Sequence, residues 1–303
     1  MKKIIIIMAS IVGILAIGIS GYAYYVYHTV KKTAEQMHEP NVNEEPPPEV
    51  NIPANPKPIS ILLMGVDQRK GDPGRTDTLI VITLNPKKEK MVMVSIPRDT
   101  RTEIIGNGKM DKINHAYAFG GTKMSIDTVE NFVGVPMNYY IRVNMKALKE
   151  LVDAVGGITV QNNIDWYDEG YYKKGYHYKK GQITLIGPQA LGYVRMRHLD
   201  PKGDFGRNER QRKVITAIIH KAVNISSVTR ITDILHALGK NVKTNMTFDE
   251  MMNIQKNYRD SQKNIIQYEV QGKGERIDGI YYLIVPQEER TRMMNDLKES
   301  LKE

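Results

Sequence analysis

ISILLMGVDQRKGDPGRTDTLIVITLNPKKEKMVMVSIPRDT, residues Ile59 to Thr100, contains three short apolar runs: Ile59 to Val66, Leu79 to Leu84 and Met91 to Ile96. Each is rich in branched side chains and is bounded by Gly, Asp, Asn or Pro, the pattern of a buried strand. Asn85 to Lys90 (NPKKEK) has the length of a hairpin loop between the second and third runs. The hairpin sets Asp77, just before the second run, beside Arg98 and Asp99, just after the third. If the first two strands are also neighbours, Asp67 at the end of the first stays at the same edge. Asp67, Arg75, Asp77, Arg98 and Asp99 then converge.

Downstream, Ser125 to Phe132 and Met145 to Val155 have helical spacing, while Tyr139 to Val143 and Ile158 to Gln161 read as further strands. Beyond Gly187 the pattern is helical over Pro188 to Met196 and Arg207 to Val223, the latter with one apolar face. Two late strands, Ile265 to Val270 and Ile280 to Val285, and a charged helix over Glu288 to Leu301 follow. Hairpin and helical connections alternate, which predicts mixed strand direction. The expected fold is α/β: a single α/β sandwich domain over residues 59–303, with a mixed central β-sheet and helices on both faces, behind one N-terminal transmembrane helix.

That helix is read from Ile4 to Tyr27, 24 residues without a charge behind Lys2 and Lys3. As a helix it measures about 36 Å against a hydrocarbon core of about 30 Å. Tyr22, Tyr24, Tyr25 and Tyr27 at its far end resemble an interfacial belt, which favours an uncleaved anchor over a signal peptide cleaved after Ala23. Residues 1–3 are then a cytoplasmic tip, 4–27 a signal anchor and 28–58 an extracellular stalk, placing the protein in the cell membrane as a single-pass type II protein. Seven of the chain's 14 prolines fall between Pro40 and Pro58, the composition of an extended spacer.

The chain of 303 residues has no cysteine, which removes disulfides, thiolate zinc sites and a thiol nucleophile. Its seven histidines are scattered without a metal-binding spacing, and His115 reads as structural. The net charge of +9 favours an anionic partner without choosing one. Two clusters suit such a partner. Carboxylates and guanidiniums around Asp67, Asp77 and Arg98 suit a divalent cation with a bound phosphate, or an ordinary surface ion-pair network. Arg195, Arg197, Asp204, Arg207, Arg210 and Gln211 form either an anion clamp at a helix start or a set of arginines paired with Asp200, Asp204 and Glu209. The aromatic segment from Trp166 to Tyr178 suits a sugar-stacking rim or a solvated hairpin equally well.

Eight blocks, GVDQR (Gly65 to Arg69), GRTDTLIV (Gly74 to Val81), SIPRDT (Ser95 to Thr100), DKINHAYAFGG (Asp111 to Gly121), YYIRVN (Tyr139 to Asn144), LVDAVGGI (Leu151 to Ile158), ALGYVRMRH (Ala190 to His198) and GDFGRNERQ (Gly203 to Gln211), resemble the LytR-CpsA-Psr family in order and spacing. The resemblance covers about 150 residues and no motif after about Arg230. It implies a membrane-anchored phosphotransferase outside the cell. Such an enzyme moves an anionic glycopolymer, wall teichoic acid or a similar one, from undecaprenyl pyrophosphate to the C6 hydroxyl of peptidoglycan N-acetylmuramic acid, forming a phosphodiester. Carried over position by position, it implies Mg²⁺, with Mn²⁺ as the alternative, at Asp67 and Asp77. It implies pyrophosphate at Arg75, Arg98, Arg197, Arg207 and Gln211, with Lys112 and Arg195 beside them. Arg98 stabilises charge, and either Asp67 or Asp204 is open to take the acceptor proton. The competing readings are a non-enzymatic envelope regulator or scaffold and a polyprenyl-pyrophosphate hydrolase. Nucleic acid is not an expected partner, since the basic cluster lies in an outward-facing domain.

Overall fold

The computed structural model describes Tyr22 and residues 24–39, 56–67, 73–223, 234, 237–239 and 241–303. Residues 24–37 are helical and are called α1. The strands β1 (Ile59–Asp67), β2 (Arg75–Asn85) and β3 (Lys90–Ser95) follow, all antiparallel neighbours in sequence. A small hairpin, β4 (Arg101–Ile104) and β5 (Lys109–Lys112), leads into α2 (His115–Val133) and then β6 (Tyr139–Asn144), which runs parallel to β1. Asn144 ends the strand and caps α3 (Met145–Ala154), its side chain accepting from the Ala147 N–H at 2.8 Å.

The hairpins β7 (Ile158–Asn162) with β10 (Gly181–Leu185), and β8 (Trp166–Tyr167) with β9 (His177–Tyr178), precede α4 (Gly187–Arg195) and α5 (Asp204–Val223). The chain closes with β11 (Val242–Thr244), α6 (Phe248–Asn257), β12 (Asn264–Glu269), β13 (Lys273–Ile277), β14 (Ile280–Ile284) and α7 (Gln287–Ser300). The six-stranded central sheet has the order β11-β6-β1-β2-β3-β12, with β12 parallel to β3 and β11 antiparallel to β6.

Both faces of this sheet are covered because its strands are apolar on both sides. Leu62, Met64, Leu79, Val81, Val92 and Val94 pack with α2 and α7 through Val129, Phe132, Met293 and Leu297. The alternate residues Ile61, Ile80, Ile82 and Met93 point the other way, toward Ile215 and Ile219 of α5 and Ile254 of α6. The central mixed sheet and two-sided helical cover are those expected from the sequence. Helix α2 begins ten residues before the predicted Ser125, because Gly120 and Gly121 take non-helical dihedrals and interrupt the apolar period.

Most of the expected signal anchor, residues 4–21, and most of the proline-rich stalk, residues 40–55, lie outside the described residues. Among the described residues, no helix is long and apolar enough to cross a membrane. The segment read as stalk from residue 28 does not start as a spacer. Helix α1 runs through it and packs on the domain, burying Thr33, Ala34 and Met37, with Met37 against Ala147 and Val242. Glu39 follows, accepting from Arg142 Nη2 at 3.0 Å. The prolines begin only after Glu39.

Candidate active site

The antiparallel register sets Asp67 opposite Arg75 at the open end of β1 and β2, with Asp77 two residues further along β2. Arg98 follows β3 and reaches back to Asp77, Nη1 to Oδ1 at 2.6 Å. Its Nε lies 3.4 Å from Asp204 Oδ2 at the start of α5 and 3.8 Å from Asp99 Oδ2. Asp204 in turn has Arg197 Nε at 3.7 Å and Arg207 Nη2 at 3.6 Å from its Oδ1. Lys112 Nζ donates to Asp99 Oδ1 at 2.7 Å. The two charged clusters of the sequence are therefore one network, joined through Asp204. Among the described residues, Arg75 and Arg195 form no ion pair with it; Arg75 is exposed and Arg195 half-buried at the end of α4.

The network has unused donors. Arg98 Nε and Arg207 Nε and Nη2 are buried without a hydrogen-bond partner, and so is the acceptor Asp204 Oδ1. Buried polar atoms are rarely left this way; these guanidinium N–H groups border the Asp204 carboxylate, and the oxygens of an anion entering there would complete them. Burial pushes the Arg207 pKa down, and Arg98 and Arg197 add to this against the opposing pull of Asp204 and Asp77. Burial also works against the charge on Arg98, but the hydrogen bond to Asp77 and the carboxylates of Asp204, Asp77 and Asp99 raise its pKa overall.

Other arginines of the same helix are already engaged. Arg210 pairs with Asp200 and donates from Nε to the Tyr193 carbonyl at 3.0 Å, and Gly206 leaves the space that Asp200 occupies. Arg212 and Asn208 face Glu269 of β12, at 3.5 and 2.6 Å. Burial pushes the Glu269 carboxyl up to about 7 against these two partners.

An apolar cavity of about 180 Å³ is lined by residues of β1, β2, β6, α3, α4 and α5 that include near neighbours of the network in sequence. Its walls include Leu63, Ile141, Leu148, Ile215, Ile218 and Leu238, and its polar lining comes from Thr78, Asn144 and Gln211. Thr78 adjoins Asp77 in sequence, and Gln211 lies one helical turn beyond Arg207. Gly65 also lines the cavity; a Cβ there would come within 2.9 Å of Thr78 Cβ. This cavity was not legible in the sequence, because its apolar residues have the same spacing as core residues.

The Trp166 to Tyr178 segment is divided between core and surface, with Tyr167 and Tyr171 exposed. Trp166 and Tyr178 are buried and stacked, ring centroids 4.7 Å apart, with Tyr193 at 5.5 Å from Trp166. Tyr167 is exposed and stacks on His177. His115 accepts the structural role expected of it, Nδ1 lying 2.8 Å from Asp111 Oδ2.

The chain is an α/β sandwich that carries an arginine and carboxylate network and, near it, an apolar cavity, features that suit an amphipathic anion. The chain belongs to the LytR_cpsA_psr family, whose model matches residues 24–299. It is 48% identical over 302 residues to the polyisoprenyl-teichoic acid–peptidoglycan teichoic acid transferase TagU of Bacillus subtilis (strain 168), covering 99% of this chain and 96% of that protein. The crystal structure of B. subtilis TagU superposes with a TM-score of 0.66 at 48% identity, covering 82% of this chain and 98% of that one. A structure of TagT bound to LIIa-WTA superposes with a TM-score of 0.71 at 30% identity, covering 81% and 91%.

Proposed function

We propose that this protein is a membrane-anchored phosphotransferase that moves an anionic glycopolymer, wall teichoic acid or a close relative, from undecaprenyl pyrophosphate to the C6 hydroxyl of peptidoglycan N-acetylmuramic acid. The observation that carries this reading is the set of unpartnered, buried N–H groups on Arg98 and Arg207, together with an apolar cavity whose lining includes Gln211, one helical turn from Arg207, and Thr78, next to Asp77. A prenyl pyrophosphate has the matching parts: a diphosphate to complete the guanidiniums and a hydrocarbon chain to fill the cavity. The TagU relatives act, by name, on polyisoprenyl-linked teichoic acid and peptidoglycan.

In this assignment Arg98, Arg197 and Arg207 bind the diphosphate, with Gln211 at its prenyl side, while Arg75, Lys112 and Arg195 add positive potential around it. Phosphoryl transfer depends on positioning and charge stabilisation, so the guanidiniums carry most of the catalysis by neutralising the departing prenyl phosphate. Asp204 holds three arginines in register. Asp67 and Asp204 are the carboxylates available to take the proton of the attacking hydroxyl.

Asp67 and Asp77 are hard oxygen donors at one sheet edge, which fits Mg²⁺ or Mn²⁺. Such ions commonly use one or two carboxylates and fill the remaining positions with water and substrate oxygens. Among the described residues there is no cluster of three or more potential ligands, so the other positions of such an ion would fall to water and substrate oxygens. When bound, the ion would neutralise charge on the diphosphate. The anchor and the external location of the domain belong to the same proposal and rest on residues 4–27.

The test uses the full chain in lipid vesicles with a prenyl-pyrophosphate-linked saccharide and nascent peptidoglycan glycan, with and without Mg²⁺. Metal-dependent attachment of saccharide to glycan, lost in a folded Arg98→Ala variant, is expected. Release of prenyl phosphate without glycan product would make the protein a hydrolase, and no reaction with any lipid-linked donor would favour the regulator.

A further inference from the structure

The C-terminal part of the chain, where no motif is legible, meets the site at Asp99. The Leu283 N–H of β14 donates to the Asp99 carbonyl at 2.8 Å, and Thr100 bridges to Leu283. Asp278 and Gly279, with φ of 49° and 78°, close the β13–β14 hairpin in a tight two-residue turn, which fixes its geometry. On one face Tyr282 packs against Arg101 and Lys112, whose charged groups lie 5.7 and 5.9 Å from its ring centroid. Strand alternation turns Tyr281 to the opposite face, where it is 42% exposed. Gly274 lies beneath that ring, and a Cβ there would come within 2.8 Å of it. Burial together with the carboxylates of Asp99 and Asp204 raises the Tyr281 hydroxyl pKa.

The order β6-β1-β2-β3 spreads the site along one sheet edge. The cavity lies on the β6 and β1 side, Asp77 and Arg98 follow, and Asp99 with the hairpin stands beyond them. In phosphoryl transfer the attacking and leaving oxygens lie roughly in line. A prenyl phosphate leaving toward the cavity therefore requires an attacking hydroxyl that arrives from the hairpin side. An exposed aromatic face that is apolar at its centre and wet at its hydroxyl suits the C–H face of a pyranose.

We propose that the β13–β14 hairpin forms the acceptor-saccharide subsite, with Tyr281 as the ring on which an acceptor sugar stacks. This rests on the transferase reading, with the cavity as the prenyl site. Tyr281→Ala and Tyr281→Phe are compared in the full chain, with a lipid-linked saccharide as donor and uncrosslinked peptidoglycan glycan as acceptor. Tyr281→Ala is expected to raise KM for the glycan about tenfold, the loss of an aromatic contact worth about 1.4 kcal/mol, while KM for the donor stays within about twofold. Tyr281→Phe restores the wild-type value. An unchanged glycan KM, or a rise that falls on the donor instead, overturns the proposal. Failure of the wild type to transfer would instead overturn the transferase reading. Calorimetric titration with glycan oligosaccharide alone then still reads the subsite, with binding weakened by Ala and kept by Phe if it exists, and unaltered by both if it does not.

Discussion

Arg207 is a buried cation that the protein does not complete by itself. Three residues on, Arg210 is equally buried but is bound by Asp200 and backbone carbonyls, so it secures the loop before α5. The two have the same residue type and lie on the same helix face, and sequence treats them alike. Only the path of the 197–204 loop separates them, because it brings Asp200 to one and leaves the other with Asp204, which Arg98 and Arg197 share. A buried charge without full compensation costs stability, and Asp204 keeps Arg98 and Arg197 as partners when Arg207 is removed, so no carboxylate is left uncompensated. Arg207→Met is therefore expected to leave the melting temperature unchanged or raise it by a few degrees, while transfer falls at least about a hundredfold. Calorimetric melting beside the transfer assay checks both, and a clear loss of stability would give Arg207 a structural role.

At the scale of the element, α5 does two jobs with one sequence. Its first turn carries Asp204 and Arg207, and its later turns carry the apolar face read from the sequence. That face is shared out: Val214 packs with Tyr193 and Val194, whereas Ile215 and Ile219 meet the sheet and, with Ile218, line the cavity. The helix and sheet stand apart at this place, so side chains that would otherwise touch border a space. Ile218→Trp is expected to narrow it. KM for a donor with a long prenyl chain should then rise about tenfold, with little change for a donor truncated to a few isoprene units, since each buried CH₂ contributes about 0.8 kcal/mol. A prenyl-length series measured on both proteins tests this, and an equal effect on every chain length would remove the cavity from lipid binding.

For the whole molecule, the notable contact is that between α1 and the domain. Met37 lies against Ala147 and Val242, and Val242 also borders the cavity. Glu39 bonds to Arg142 and accepts from the Tyr140 hydroxyl at 3.2 Å. A chain beginning at Pro56 loses these contacts, and one beginning at Tyr24 keeps them. The shorter chain is expected to be about 2 to 4 kcal/mol less stable and to melt roughly 4 to 12 °C lower, from the burial of Met37 and its neighbours. Equal melting temperatures would mean that α1 rests on the domain without stabilising it.

The strands β1, β2, β3, β6, β7, β12 and β14 and the faces of α3, α4, α5 and α7 were written in the local pattern, because burial demands near-continuous apolar strands and period-3.6 helices whatever lies around them; the short β4, β5, β10, β11 and β13 and the helices α1 and α6 were not. The candidate site residues were legible by type and by their nearness to strand and helix ends. Asp67, Asp77 and Arg98 needed only the β1–β2–β3 hairpins to come together. The tertiary structure decided the rest: that Asp204 joins the two charged clusters, that Trp166 and Tyr178 are core, that a cavity opens beside Gln211, and that Tyr281 stands at the far edge. Each depends on residues distant in sequence meeting across the fold, and apolar spacing reads the same whether a side chain meets another side chain or an empty space.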